Sequence, residues 1–170
     1  MKNFSETYIE FLTITILEWK KLLKPIKYKE LIVESLSYFV KEKRANIFAF
    51  CIMDNHLHLI WQAQEGYTSR DNQHSFTKYT AQKIKHDLKV NHPKVLVHFE
   101  VNSKDRVYQF WERNALAIIL YNEPVLIQKL DYIHHNLVKA GLCNLPEEYD
   151  YSSASFYLSG DLKYPFLSHI

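Results

Sequence analysis

The chain has little of what secreted or membrane-embedded proteins are built from. It contains two cysteines, Cys51 in an expected strand and Cys143 in an expected turn. Two are too few for a disulfide framework, and both read as reduced thiols. No apolar run approaches the roughly 20 residues that span a bilayer, and the opening residues Met1-Lys2-Asn3-Phe4-Ser5-Glu6 have no signal-peptide core. A cytoplasmic protein with no membrane partner is expected. Glycine is scarce, at three residues, and with 47% hydrophobic and 15% aromatic content this excludes a disordered or low-complexity chain. Neither sign of charge dominates: a net charge of +2 permits nucleic-acid binding without requiring it. At 170 residues the chain suits one domain and can bury roughly two-thirds of the surface its unfolded form exposes.

What is present is a regular succession of patterned segments. Residues 8–19 hold a first strand, and Pro25 then opens a helix in which Tyr28, Leu31, Ile32, Leu36 and Phe39 repeat at helical spacing, with Lys41, Lys43 and Arg44 loading its last turn. Residues 46–53 and 56–63 read as a hairpin joined at Asp54-Asn55. Residues 64–74 read as a polar loop, after which Ser75 caps a second helix that turns Phe76, Tyr79, Ile84 and Leu88 inward. Residues 91–106 read as irregular, residues 107–121 as one or two short strands, and residues 152–158 as a final helix stopped by Gly160. A strand-helix-strand-strand-helix-strand order fits an α+β, ferredoxin-like antiparallel sheet with helices on one face, plus a C-terminal helix.

Two segments bear chemistry. In the second hairpin strand, side-chain alternation puts His56, His58 and Ile60 on one face and Leu57, Leu59 and Trp61 on the other. Two imidazoles side by side on a rigid strand can chelate a divalent metal. The plainer reading, that they are solvent-facing or hydrogen-bonded strand histidines, is equally open at this point. Farther on, Asn122 caps a helix with Pro124 in its first turn, running from Glu123 to the Gly141 stop. Leu126, Leu130, Ile133 and Leu137 form its apolar stripe. Tyr132 and Asn136 lie off that stripe, about 40° from each other on one flank, so one site can receive both.

The pair Asn55-His56-Leu57-His58-Leu59 and Tyr132-Ile133-His134-His135-Asn136-Leu137-Val138-Lys139-Ala140-Gly141 resembles the single-tyrosine HUH transposases of small bacterial insertion sequences, REP-associated tyrosine transposases included. The likeness runs from about Tyr8 to Gly160 and takes in residues 29–43, the block Phe110-Trp111-Glu112-Arg113 and Tyr151-Ser152-Ser153-Ala154. The resemblance implies a single HUH transposase-like domain over residues 1–170, with the same ferredoxin-like core and the tyrosine on its C-terminal helix. It also implies Mg²⁺ or Mn²⁺ held by His56, His58 and Asn136, and Tyr132 as nucleophile toward single-stranded DNA with a hairpin. A homodimer is implied on the same ground. Asp54 stands where relatives often have proline, and Leu137 replaces the proline that commonly follows the asparagine; neither departure removes a reacting group.

A phenol is protonated at neutral pH and needs an assisting environment to attack phosphorus. Two imidazoles and an amide oxygen suit Mn²⁺, and Mg²⁺ with added oxygen ligands, whereas Zn²⁺ prefers four tight ligands. Attack would give a 5′-phosphotyrosine and a free 3′-OH, and the reverse attack would rejoin strands with no nucleotide cofactor. By helical angle His134 and His135 read as surface or DNA-proximal residues. Lys78, Lys85 and Lys89 share a face of the second helix; such a face is commonly just solvated, and in a DNA enzyme it tracks phosphates. Trp111, Phe110 and Tyr67 are either core residues or platforms for unpaired bases. Two other functions fit less well: a domesticated sequence-specific DNA-binding protein with this fold and little turnover, and a metal hydrolase using water. The second leaves Tyr132 without a purpose.

Overall fold

The computed structural model describes residues 7–170. Strands β1 (Ile9–Thr15), β2 (Ala45–Ile52), β3 (His56–Ala63) and β4 (Leu116–Ile119) form one sheet in the order β2-β3-β1-β4, every neighbouring pair antiparallel. Helix α1 (Ile26–Lys41) links β1 to β2, and helix α2 (Ser69–Asn91) follows β3. This is the expected ferredoxin-like α+β arrangement. The short helix α3 (Pro93–Leu96) and an irregular stretch lead into β4. Helices α4 (Glu123–Lys139) and α5 (Ala154–Ser159) follow β4, α5 ending at left-handed Gly160.

Alternation along the strands divides the core in two. Leu12, Ile14, Phe50, Ile52, Leu57, Leu59 and Trp61 point to one face, beneath α1 and α2. Phe11, Cys51 and Ile60 point to the other, where α4 lays down Leu126, Ile133 and Leu137. A bulge in β2 between Ile47 and Ala49 shifts the strand's phase, and Phe48 and Ala49 both reach the α4 side. Helix α4 forms where expected because its ends are well specified. The Asn122 side chain accepts the Val125 N–H at 3.0 Å, and Gly141, at φ 72°, supplies the left-handed turn that lets the Leu142 N–H reach the Leu137 carbonyl at 3.1 Å. Leu130, expected in the stripe, is only partly buried.

The structure corrects the start of α2. The helix opens at Ser69, capped by Thr68, whose hydroxyl accepts the Asp71 N–H at 3.0 Å. Residues 69–74 are polar, yet they are helical, because Asn72 is fully buried against Arg44: its amide donates to the Arg44 carbonyl at 2.9 Å and accepts from Arg44 Nε at 3.2 Å. Ser75, expected as the cap, instead lies within the helix and accepts from Arg44 Nη1. Tyr79 is exposed, and Thr80 takes the inward position. Residues 91–106 are less irregular than expected, since α3 and a 3-10 turn at Val97–Phe99 lie within them.

Asp54 fixes the turn before His56. Its carbonyl accepts the Leu23 N–H at 2.8 Å, and its carboxylate accepts Lys29 Nζ at 2.9 Å. Lys29 is 6% exposed, so this is a largely desolvated ion pair. Asp54→Ala strands the Lys29 ammonium, and the expected loss of unfolding free energy is about 3–5 kcal/mol. The double variant Asp54→Ala/Lys29→Met should regain most of it in urea denaturation. A single variant within roughly 1 kcal/mol of the parent would show that the pair does not hold the turn.

Candidate active site

Strand register sets the first half of the site. β1 pairs Thr13 with His58 and Thr15 with His56, so the histidines stand on the α4 face in the middle of the sheet. His56 Nε2 and His58 Nε2 are 3.1 Å apart. The far side of each ring is tied down, His58 Nδ1 to Thr13 Oγ1 at 3.0 Å and His56 Nδ1 to Asn55 Oδ1 at 2.7 Å. Asn55 Nδ2 donates to the Trp19 carbonyl, so its Oδ1 faces the imidazole and His56 Nδ1 must be the donor.

Helix α4 delivers the second half. With Ile133 and Leu137 pressed into the sheet, Asn136 Nδ2 donates to His58 Nε2 at 3.1 Å. The Tyr132 ring lies edge-on to His58 with centroids 5.5 Å apart. Phe11 stacks on His58 at 5.4 Å and meets Tyr132 edge-on at 5.9 Å, so the three rings form a compact triangle. Lys129, one turn before Tyr132, places Nζ 4.9 Å from the Phe11 centroid and 5.3 Å from that of Tyr132. Tyr132 itself is 47% exposed, open to a macromolecular substrate.

Burial holds both imidazoles neutral. It lowers the pKa of His56 below the ordinary value, and together with the neighbouring His56 and Lys129 charges it brings His58 down to about 3. With His56 Nδ1 donating to Asn55, the His56 Nε2 lone pair points at His58 Nε2, which also receives the Asn136 amide; a cation between the rings would take both nitrogens once that amide turns away. Metal–nitrogen bonds of about 2.1 Å at a right angle separate two ligands by about 3.0 Å, close to the spacing here. A half-turn of the Asn136 amide presents its oxygen to the same point. These three side chains therefore fit a divalent ion completed by water or phosphate oxygens. Among the described residues no group of three or more His, Cys, Asp or Glu side chains is placed to hold a metal, so a third protein ligand here would have to be the Asn136 amide.

The structure thus brings His56, His58, Tyr132 and Asn136 together. Lys78, Lys85 and Lys89 are exposed on α2, across the sheet from the histidines. Lys78 and Lys85 line an open groove of about 730 Å³ between α2 and residues 105–113, with Arg70, Arg106 and Arg113. His134 is not a surface residue: it is buried, with Nε2 2.9 Å from Ser153 Oγ. His135 is exposed as expected. Phe110 and Trp111 are core residues, Trp111 donating to Thr80 Oγ1, which removes them as base platforms. Phe11, Thr13 and Lys129 were not singled out by the sequence as site residues, and Asn55 was read only as a turn residue opening the histidine motif. The alternation of Phe11 and Thr13 on one strand face, and the place of Lys129 three residues before Tyr132, are the signals that pointed to them. Both cysteines are free, and no helix among the described residues is long and apolar enough to cross a membrane.

The chain is similar to REP-associated tyrosine transposases in sequence and in fold. A Haemophilus influenzae protein provisionally named as one is 30% identical over 106 residues, 62% of this chain. The match takes in 56% of that relative's length. The solved structure of a REP-associated tyrosine transposase bound to a REP hairpin superposes with a TM-score of 0.63, covering 100% of this chain and 92% of the other at 17% identity. That likeness establishes the fold. No protein-family model matches the chain. The resemblance read from the two motifs is borne out by the relative and the shared fold.

The buried histidines make the metal-free chain acid-labile. His58 is held down to about 3 and His134, chiefly by burial, to about 4, against 6.5 for an ordinary histidine. Depressed folded-state values mean stability that is full above the unfolded pKa and lost as pH falls toward the folded one. Between about pH 6.5 and pH 4 each should remove about 1.4 kcal/mol of unfolding free energy per pH unit. Denaturation in chelator across this range should show that slope, roughly halved in His134→Gln. A flat profile would mean that neither histidine resists protonation.

Proposed function

We propose that the chain cleaves and rejoins single-stranded DNA at hairpin-bearing ends, with Tyr132 as nucleophile. The observation that carries this reading is the convergence of the Tyr132 ring, the two neutral imidazoles and the Asn136 amide on one face of the sheet. The relatives' names add to it. His56, His58 and Asn136 would hold Mg²⁺ or Mn²⁺. Such an ion supplies polarisation of the scissile phosphorus and neutralises charge on the leaving 3′ oxygen.

The chain's own residues do the rest. The Tyr132 oxygen attacks in line: the O–P bond to the phenol forms as the bond from phosphorus to the 3′ oxygen breaks. The phenolic proton passes to solvent and the 3′ oxygen takes one up, leaving a 5′-phosphotyrosine and a 3′-OH. One phosphoester replaces another, so a second 3′-OH can reverse the step and join a new strand. The Lys129 ammonium beside the ring favours an approaching phosphate. Thr13 and Asn55 keep the imidazoles oriented through attack and reversal. Lys78, Lys85 and Lys89, across the sheet, would contact phosphates of the stem rather than the cleaved bond, adding salt-dependent affinity.

Hairpin DNA with a single-stranded extension, labelled on the 5′-phosphate side of the cut, tests this on denaturing gels. The wild-type chain should nick it and form a covalent adduct with Mg²⁺ or Mn²⁺, and EDTA should stop both. Tyr132→Phe should keep folding, metal affinity and DNA affinity while nicking and adduct fall below detection. Nicking without an adduct, or an adduct with the phenylalanine variant, would assign the nucleophile elsewhere. In a Mn²⁺ titration of activity, Asn136→Ala should raise the concentration needed by roughly 10-fold or more; an unchanged midpoint would remove Asn136 from the ligand set.

A further inference from the structure

The chain has three tryptophans, and two of them, Trp61 and Trp111, are buried. Trp19 is 59% exposed, although it stands at the rim of the histidine pair with its ring edge-on to His56 at 5.5 Å. Single exposed apolar side chains are common and mean little by themselves. The backbone sets this one apart. Glu18 and Trp19 both lie in the left-handed region, at φ 54° and 57°, and neither is glycine. Two consecutive residues of this kind persist only where their surroundings over-determine them, and such strain gathers at functional sites.

The surroundings here are specific. Ile16 N–H donates to the Asn55 carbonyl at 2.9 Å, Leu17 N–H to the Phe110 carbonyl at 2.8 Å, Glu18 N–H to Glu112 Oε1 at 2.7 Å and Trp19 N–H to the Ile16 carbonyl at 2.9 Å. The Trp19 carbonyl then accepts from Asn55, the residue that orients His56. One short network therefore fixes the His56 ring and turns the indole out to solvent beside it. A packing role does not explain this, since the indole is left 59% exposed while the backbone that presents it is strained.

We propose that Trp19 is a stacking platform for an unpaired nucleobase flanking the scissile phosphate. The proposal rests on the single-stranded DNA reading above and names how that strand is held. A planar, electron-rich ring offers any base a face, so the contact gives grip and register with little sequence preference. The strained loop keeps the platform rigid, and little freedom remains to be lost when the base arrives.

Because Trp61 and Trp111 are buried away from solvent, a quench of intrinsic fluorescence on contact with a base reports on Trp19. In the Tyr132→Phe background, where no strand is cut, a hairpin with a single-stranded extension and Mg²⁺ should quench tryptophan emission on binding. Trp19→Phe should bind nearly as well and show no quench. Trp19→Ala should bind about 5- to 150-fold more weakly, and Trp19→Gly, which suits the left-handed backbone, should weaken likewise while unfolding no earlier than the parent. An abasic nucleotide scanned along the extension should, at one position, bring the tryptophan-bearing chain to the level of Trp19→Ala and weaken Trp19→Ala no further. Unchanged affinity in Trp19→Ala, or equal abasic losses in both chains at every position, would overturn the proposal. The adduct assay separates the two readings: quench and abasic coupling without any adduct in the wild-type chain would keep the platform and reject strand transfer, and an adduct formed equally well by Trp19→Ala at limiting DNA would do the reverse.

Discussion

The site depends on the rotation of one helix about its own axis. Ile133 and Leu137 are fully buried where α4 crosses the sheet, against Phe11, Phe48, Ala49, Cys51 and Ile60. With those two seated, Tyr132 and Asn136 have no choice of direction, because each residue along a helix turns by about 100°. The amide of Asn136 and the ring of His58, 78 residues apart in the chain, meet through apolar burial that neither takes part in. His134 repeats the instruction in polar form. Its bond to Ser153 Oγ, which in turn accepts the Phe50 N–H at 3.0 Å, ties the helix to the β2 backbone at the same rotation.

The sequence was most readable where one local pattern decides the outcome. The period of two in β3 placed both histidines on one face, and capping residues with a single apolar stripe placed Tyr132 and Asn136 together on α4. It was least readable where a distant partner decides. Residues 69–74 are too polar to announce a helix, and only the buried socket that Arg44 makes for Asn72 explains why they form one. His134 lies on a flank that is exposed for an isolated helix and is covered here by residues 152–157. The lysines of α2 share a face, as their spacing says, but nothing within that helix reveals which side of the sheet it covers. The bulge in β2 likewise comes from pairing with β3, and alternation read from β2 alone misassigns Phe48.

Electrostatics and packing pull the site in one direction. The imidazoles sit on a sheet and beneath a helix, where carrying a proton is unfavourable, and the nearby Lys129 charge makes it more so. Lys129 is itself held against the faces of Phe11 and Tyr132, where ring quadrupoles offset part of its lost hydration. The result is a patch with neutral imidazole nitrogens in its floor and one positive charge at its edge. Such a floor and edge would suit a cation and a phosphate together.

The bond between Lys29 and Asp54 bears on how chains of this kind diverge. A proline at position 54, as the resembled family often has, stiffens the turn through its own ring and leaves position 29 without a carboxylate to meet. An aspartate stiffens the same turn through a second residue 25 positions earlier. The two solutions cannot be mixed without burying a lone charge, so positions 29 and 54 should drift as a pair. The path from one solution to the other then runs through a lysine lost before, or together with, the aspartate.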